Sequence, residues 1–195
     1  MLGLKKIALT GGLAVGKSTV CRLLQDHGAY VVDADAIVHQ LLTLTSPVGQ
    51  EIVKLLGPDI VVNHQINRKK ISNIVFSNPV KLKALESILH PAVRAEINQL
   101  FETVKDNAAY RFFVAEVPLL YEAQMEDDFD IVIAVVSDPK IARLRAPDKE
   151  EFDRRSRFQL PQAVKRAEAD YVIVNQGDLT VLKTEVDRLI PQLLV

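Results

Sequence analysis

Cysteine is almost missing from this chain: Cys21 is the only one in 195 residues. No intrachain disulfide and no multi-cysteine metal centre can form, and a reduced, cytoplasmic setting is the default expectation. Cys21 sits among Val20, Leu23 and Leu24, which reads as ordinary helix packing. An excess of charge of one sign is missing too. With a formal net charge of -1 at pH 7, the chain lacks the lysine and arginine surplus that draws proteins to nucleic acid or anionic membranes. Any nucleotide bound here is therefore expected to be a small molecule. No apolar run approaches the roughly 18 residues needed to cross a bilayer, and the N-terminal residues enter a strand-like run without the long apolar segment of a signal peptide. Internal repeats and low-complexity tracts are absent. The expected partners are small molecules, with no nucleic acid and no membrane, for a monomer or weak homo-oligomer.

What is present suits one compact domain, with 48% hydrophobic and 25% charged residues. Short β-rich runs recur at Lys6–Leu9, Tyr30–Val32, Arg111–Ala115, Ile131–Val136 and Tyr171–Val174. Segments long enough for helices separate them, which predicts an α/β fold with a five-stranded parallel sheet and helices on both faces. Between the second and third strands the chain is too long for a simple crossover. Helical patterns run there over Ile37–Leu44, Val48–Leu56, Lys69–Phe76, Pro79–Leu89 and Pro91–Val104, interrupted by the turn-like Asn63-His64-Gln65. The reading is a single domain over residues 1–195: a nucleotide-binding core at 1–35 and 109–195, a helical insertion at 36–108 that builds a second substrate's pocket, and a lid at 140–161.

The stretch Gly11-Gly12-Leu13-Ala14-Val15-Gly16-Lys17-Ser18-Thr19 spells G-x-x-x-x-G-K-S directly after the apolar run Ile7-Ala8-Leu9. In such a loop, successive backbone N–H groups face a phosphate, the glycines allow close approach, and the following helix points its positive end at the anion. Lys17 would reach the β- and γ-phosphates of a nucleotide and the Ser18 hydroxyl would ligate Mg²⁺. The second strand ends in Asp33-Ala34-Asp35. A carboxylate at a strand's carboxyl end, beside the phosphate loop, can accept the proton of an attacking hydroxyl or hold the metal through water. Either aspartate could instead cap the helix starting near Ala36, and Asp35 is the better capping candidate.

No Asn-Lys-x-Asp guanine motif follows the fourth strand, where Val136 leads into Ser137-Asp138-Pro139, so a GTPase switch is disfavoured. Arg143, Arg145, Arg154, Arg155 and Arg157 then crowd a charged helical stretch before Pro161. Planar guanidinium groups on a lid neutralise charge that develops during phosphoryl transfer. A solvated helix face paired with Asp148, Glu150, Glu151 and Asp153 accounts for much of the same run. These residues alone leave open a kinase of small molecules, a kinase of another nucleoside or nucleotide, and a nucleotide-dependent switch.

The ordered set of motifs resembles the bacterial dephospho-coenzyme A kinase family over nearly the whole chain. It comprises Leu9-Thr10-Gly11-Gly12 with Gly16–Thr19, Asp33-Ala34-Asp35, Asn67-Arg68, Val75-Phe76-Ser77, Leu89-His90-Pro91 and Val117-Pro118-Leu119-Leu120-Tyr121-Glu122. It ends with Gln159-Leu160-Pro161, Ala169–Asn175 and Gly177. The resemblance implies a P-loop fold and phosphorylation of the ribose 3′-hydroxyl of dephospho-coenzyme A by ATP with Mg²⁺. It implies that Ala14, Val15, Gly16, Lys17, Ser18 and Thr19 hold the ATP phosphates, with Asp33 the general base and Asn175 and Gly177 near the adenine. It also implies that the insertion grips the acceptor, with His90 and Leu119 as contacts, and that Arg155 is the recurrent lid arginine. Two departures stand out. The family's usual Gly-Ser inside the cradle is Ala14-Val15, and the lid around Arg143-Leu144-Arg145-Ala146-Pro147-Asp148 is a few residues short. Glu116 ends the third strand where many members have Asp, and either reaches Mg²⁺ through water or is satisfied by a neighbouring amide. His27, His39 and His64 have no ligand-like spacing and read as surface or packing residues.

Overall fold

A computed structural model of the protein describes residues 3–194. In chain order the elements are β1 (Lys5–Gly11), α1 (Lys17–Asp26), β2 (Ala29–Asp33), α2 (Ala34–Leu41), α3 (Pro47–Leu56), β3 (Val61–Val62), β4 (Gln65–Ile66), α4 (Arg68–Val75) and α5 (Pro79–Val104). They continue with β5 (Phe112–Glu116), β6 (Ile131–Val136), α6 (Pro139–Arg145), α7 (Lys149–Ser156), α8 (Gln162–Glu168), β7 (Tyr171–Val174) and α9 (Leu179–Leu193). The five expected strands pair in the order β2-β5-β1-β6-β7, all parallel.

β1, β5 and β6 are buried along almost their whole length because both sheet faces are covered. On one face Ile7, Leu9, Val114, Ile133 and Val135 pack with Val20 and Leu24 of α1 and Leu182, Val186 and Ile190 of α9. On the other, Phe113 stacks on Tyr30 at 5.9 Å and meets the edge of Phe101 at 5.3 Å. The chain leaves β1 for β2 on one side and returns through β5 to β6 on the other. The carboxyl end of β1 is thus the point where strand order reverses, and ligands of open α/β sheets bind at such a point.

Two compact units emerge, one taking the residues up to Asp33 and from Leu100 onward, the other Ala34–Gln99. The last turn of α5 therefore belongs with the sheet, where Phe101 lies against Phe113. The second unit has its own core of Ile52, Ile60, Ile66, Ile71, Val75 and Leu85. Ser46 accepts from the Gly49 N–H at 2.9 Å and Asn67 from the Lys70 N–H at 3.0 Å, which sets the starts of α3 and α4.

One local expectation needs correction and another gains detail. The helical patterns ending at Leu89 and starting at Pro91 are one helix, α5, with Pro91 in its interior. Proline there costs about 3 kcal/mol. The apolar stripe of Leu82, Leu85, Leu89, Val93, Ile97 and Val104 keeps helical spacing across Pro91, so packing outweighs the missing N–H. The turn-like Asn63-His64-Gln65 is the tip of a hairpin pairing Val61 with Ile66 and Val62 with Gln65. Two-residue strands fall below any periodicity a sequence can display.

Candidate active site

The phosphate loop takes its shape from what surrounds it. Gly11 has φ 148°, Gly16 has φ 98°, and Ala14 takes the left-handed φ 54°. A Cβ on Gly11 would stand 2.2 Å from the Val135 carbonyl oxygen, and one on Gly16 would stand 2.3 Å from Asn175 Nδ2. Gly11 thus excludes any side chain, and one at Gly16 would be strained at φ 98° and would have to displace the Asn175 amide. Ala14 stands where the family pattern has glycine, and its left-handed backbone explains that preference; alanine tolerates it at a cost on the order of 1 kcal/mol. Gly16 caps α1 without a side-chain bond and no acidic residue occupies the first turn of that helix. The positive end of that helix thus carries no acidic side chain to compete with an anion. Lys17, 7% exposed, donates from Nζ to Gly12 O at 2.8 Å and Gly11 O at 3.2 Å, which holds the ammonium over the loop. Ser18 is exposed in the first turn of α1.

Strand register brings two carboxylates to the same edge. Asp33 ends β2 opposite Glu116, and Glu116 ends β5 opposite Leu9 of β1. Glu116 Oε2 accepts from the Cys21 thiol at 3.5 Å. Burial first, then Glu116 and Asp33, push the Cys21 thiol well up, against a smaller opposing pull from Lys17. Cys21 therefore stays an inert thiol and reports that Lys17, Asp33 and Glu116 share one field. Among the described residues no group of three or more His, Cys, Asp or Glu could hold a metal alone. That suits Mg²⁺ in a phosphate-loop protein, where the nucleotide's oxygens complete a shell to which the protein adds one or two donors. Ser18, Asp33 and Glu116 are hard oxygen donors of the right kind.

Since α2 begins at Ala34, Asp33 occupies the position just before the helix and Asp35 lies inside its first turn. The expectation that Asp35 is the cap is corrected accordingly. Strand β2 runs one residue further than its apolar run because Asp33 still pairs with β5.

The loop after β7 closes the other side of the cradle. Asn175 is buried, and its Nδ2 donates to Val15 O at 2.8 Å. Its carbonyl accepts from Ser137 Oγ at 2.8 Å and Arg145 Nη1 at 3.2 Å, and Arg145 Nη2 also donates to Gly177 O at 3.2 Å. Asn175 thus props the cradle from below while Arg145 fixes the path of the Asn175–Gly177 segment. In the 140–161 stretch, Asp148 caps α7 by accepting from the Glu151 N–H at 2.9 Å. Arg143 spans α6 and α7 through a fork to Asp153, Nε to Oδ1 at 2.9 Å and Nη2 to Oδ2 at 2.9 Å. Arg154 is paired with Glu151 at 2.9 Å. Arg155 is exposed in the last turn of α7. Of the five arginines in the run, Arg143 and Arg154 are therefore held in ion pairs, Arg145 holds the Asn175–Gly177 segment, and Arg155 and Arg157 are exposed.

The family model for dephospho-CoA kinase matches residues 5–180. The chain belongs to the dephospho-CoA kinase family. It is 44% identical to a dephospho-CoA kinase of Protochlamydia amoebophila, over 99% of this chain and 98% of that one. Among solved structures it resembles a protein from Thermus thermophilus, with TM-score 0.83 and 29% identity over 97% of both chains. It also resembles the dephospho-CoA kinase from Campylobacter jejuni, with TM-score 0.70 and 26% identity over 96% of both.

Other residues that the dephospho-CoA kinase motifs single out fall in varied settings. His90 is half-buried within α5, and burial holds its imidazole below the ordinary value despite Glu86, with Arg94 adding to the fall. Leu119 is 41% exposed, whereas Leu120 is fully buried in the core. Sequence reasoning missed a hub beneath the loop. Lys165, with no exposed surface, donates to Pro118 O at 2.6 Å and pairs with Glu122 Oε1 at 2.9 Å. Glu122 Oε1 also accepts the Leu160 N–H at 2.7 Å, while Gln162 Oε1 accepts the Ser137 N–H at 2.9 Å. The stretch around Leu160–Lys165 is thereby tied to the Val117–Glu122 segment. No sequence signal announces this pair, because the two residues lie 43 positions apart.

Lys165→Met should lose about 3 kcal/mol of unfolding free energy in urea, since it strands the Glu122 carboxylate. Adding Glu122→Leu should restore stability to within about 1 kcal/mol, because a buried pair is replaceable by apolar groups of similar volume. A double variant as unstable as the single would show that the pair's packing, not its charge, matters.

Proposed function

We propose that the protein transfers the γ-phosphoryl group of Mg-ATP to the ribose 3′-hydroxyl of dephospho-CoA, giving CoA, in the cytoplasm. The observation that carries this reading is the register that sets Asp33 at a strand end beside the phosphate loop, in a chain of the dephospho-CoA kinase family. Ala14–Thr19 present backbone N–H groups to the β- and γ-phosphates and Lys17 adds a nearby cation. Ser18 would hold a bound Mg²⁺, which would neutralise charge on the phosphates. Asp33 accepts the proton of the 3′-hydroxyl as that oxygen attacks, which makes the alcohol a competent nucleophile only when aligned with the phosphate. Arg155, free of the ion pairs that hold Arg143 and Arg154, is the lid group able to reach the transferring phosphoryl. Asn175 and Gly177 form the adenine side of the nucleotide site, and His90 and Leu119 contact the acceptor.

Incubation of pure protein with Mg-ATP and dephospho-CoA, adenosine or AMP, with products read by mass, tests the assignment. A gain of one phosphoryl group on dephospho-CoA is expected at far higher kcat/KM than on the other two. Comparable kcat/KM for AMP or adenosine would make this a kinase of another nucleoside or nucleotide.

A further inference from the structure

Among the described residues, Lys165 is the only charged side chain with no exposed surface. An ion pair in the interior adds little to stability over apolar groups of similar volume, so folding energy alone is a poor explanation for Lys165 with Glu122. The contacts of the pair point elsewhere. Pro118 O accepts from Lys165 Nζ at 2.6 Å and also from Thr10 Oγ1 at 3.3 Å. Thr10, fully buried, immediately precedes the first glycine of the phosphate loop. Beside it the Val117 N–H donates to Leu9 O at 2.9 Å. At the other end of the same segment, Glu122 accepts from the Leu160 N–H at 2.7 Å.

Residues Val117 to Glu122 are thus fixed at both ends, to β1 on one side and to α8 with the residues just before it on the other. Within this frame Val117 and Leu120 are buried, while Leu119 is exposed. Gln162 supplies a second link. It lies three positions before Lys165, on the same side of α8. Its Oε1 holds the Ser137 N–H at 2.9 Å, and its side chain packs on Gly12, where an added Cβ would come within 3.2 Å of Gln162 Cγ. One face of α8 therefore touches the phosphate loop through Gln162 and the Leu119 segment through Lys165.

We propose that Lys165 and Glu122 are positioning residues for phosphoryl transfer: acting through Pro118 O and the Leu160 N–H, they set the segment that carries Leu119 against the end of β1 that carries the phosphate loop. The proposal rests on the kinase reading above, in which Leu119 contacts the acceptor. Neither side chain touches the reacting atoms; each works through the backbone it holds. What the pair supplies is alignment, and a misplacement of about 1 Å costs roughly 10²-fold in rate.

The test compares the full wild-type chain with Lys165→Met/Glu122→Leu and with Glu122→Asp, by single-turnover transfer from Mg-ATP to dephospho-CoA, ATP titration and thermal melting. The double variant replaces the pair with apolar groups of similar volume, so its Tm should stay near wild type. Glu122→Asp keeps the charge but shortens its arm by about 1.5 Å. Single-turnover rates should fall roughly 10–10²-fold in the double variant and several-fold in Glu122→Asp. ATP affinity should not change, because Lys17 and Asn175 hold the loop by bonds in which the pair takes no part. A folded double variant with a rate within about twofold of wild type overturns the proposal, as does ATP affinity that falls in step with the rate. Should the double variant fail to fold, Glu122→Asp decides: slower transfer at unchanged Tm supports the proposal and an unchanged rate overturns it. Wild type that phosphorylates no dephospho-CoA defeats the kinase reading itself, and amide hydrogen exchange then judges the pair's hold on the segment. Faster exchange at Leu160 and at Met125, whose N–H bonds Leu120 O, in Glu122→Asp with the sheet unchanged supports that hold, and equal exchange overturns it.

Discussion

Asp33→Asn is expected to lower kcat by roughly 10²–10⁴-fold, the usual contribution of general base catalysis. The substitution isolates proton acceptance because it preserves almost everything else. Asp33 pairs with Glu116 through backbone, which Asn repeats. It also stands immediately before α2, where Asn caps about as well as Asp. ATP affinity and Tm should therefore change little while single-turnover chemistry collapses. Asp35→Asn removes only a first-turn charge from α2, an effect on the order of 0.3–1 kcal/mol on stability, and should leave kcat near wild type. Retention of more than about half of the wild-type single-turnover rate by Asp33→Asn would make Asp33 structural and move the base to Glu116 or Asp35.

Lys17→Ala should cost 10²-fold or more in kcat/KM, since it deletes a preorganised cation at the phosphates. The structure adds a complication that the measurement must meet. Lys17 Nζ also bonds Gly11 O and Gly12 O, so its removal leaves two loop carbonyls without a donor. Lys17→Arg keeps charge and donors but not the compact point geometry, and it should recover only part of the loss. Thermal melting of both variants separates a distorted loop from a missing charge. Near-wild-type turnover in a folded Lys17→Ala variant would sink the phosphate-cradle argument.

Much of this was legible because it is local. The five strands are apolar runs bounded by turns, and the cradle is nine consecutive residues whose chemistry follows from glycine, lysine and serine at fixed spacing. Elements whose outcome depends on competition were less so. The Pro91 break did not occur because an apolar stripe continues on both sides of it, and the β3–β4 hairpin is too short to show a period. Roles of individual arginines were opaque for the same reason. Spacing cannot tell Arg145, which bonds Asn175 O and Gly177 O, from Arg155, which extends into solvent.

By itself, then, the sequence determined the fold class, the phosphate loop, the candidate base at the second strand's end and the family, since each rests on residues adjacent in the chain or on their order along it. Only the tertiary structure decided that Asp33 and Glu116 share an edge, that Lys165 is a buried partner of Glu122, and that Asn175 holds up Val15. Those relations depend on strand register and on contacts between residues tens to more than a hundred positions apart. Register and long-range packing are settled by burying apolar faces jointly, a condition on the whole chain that no local pattern encodes.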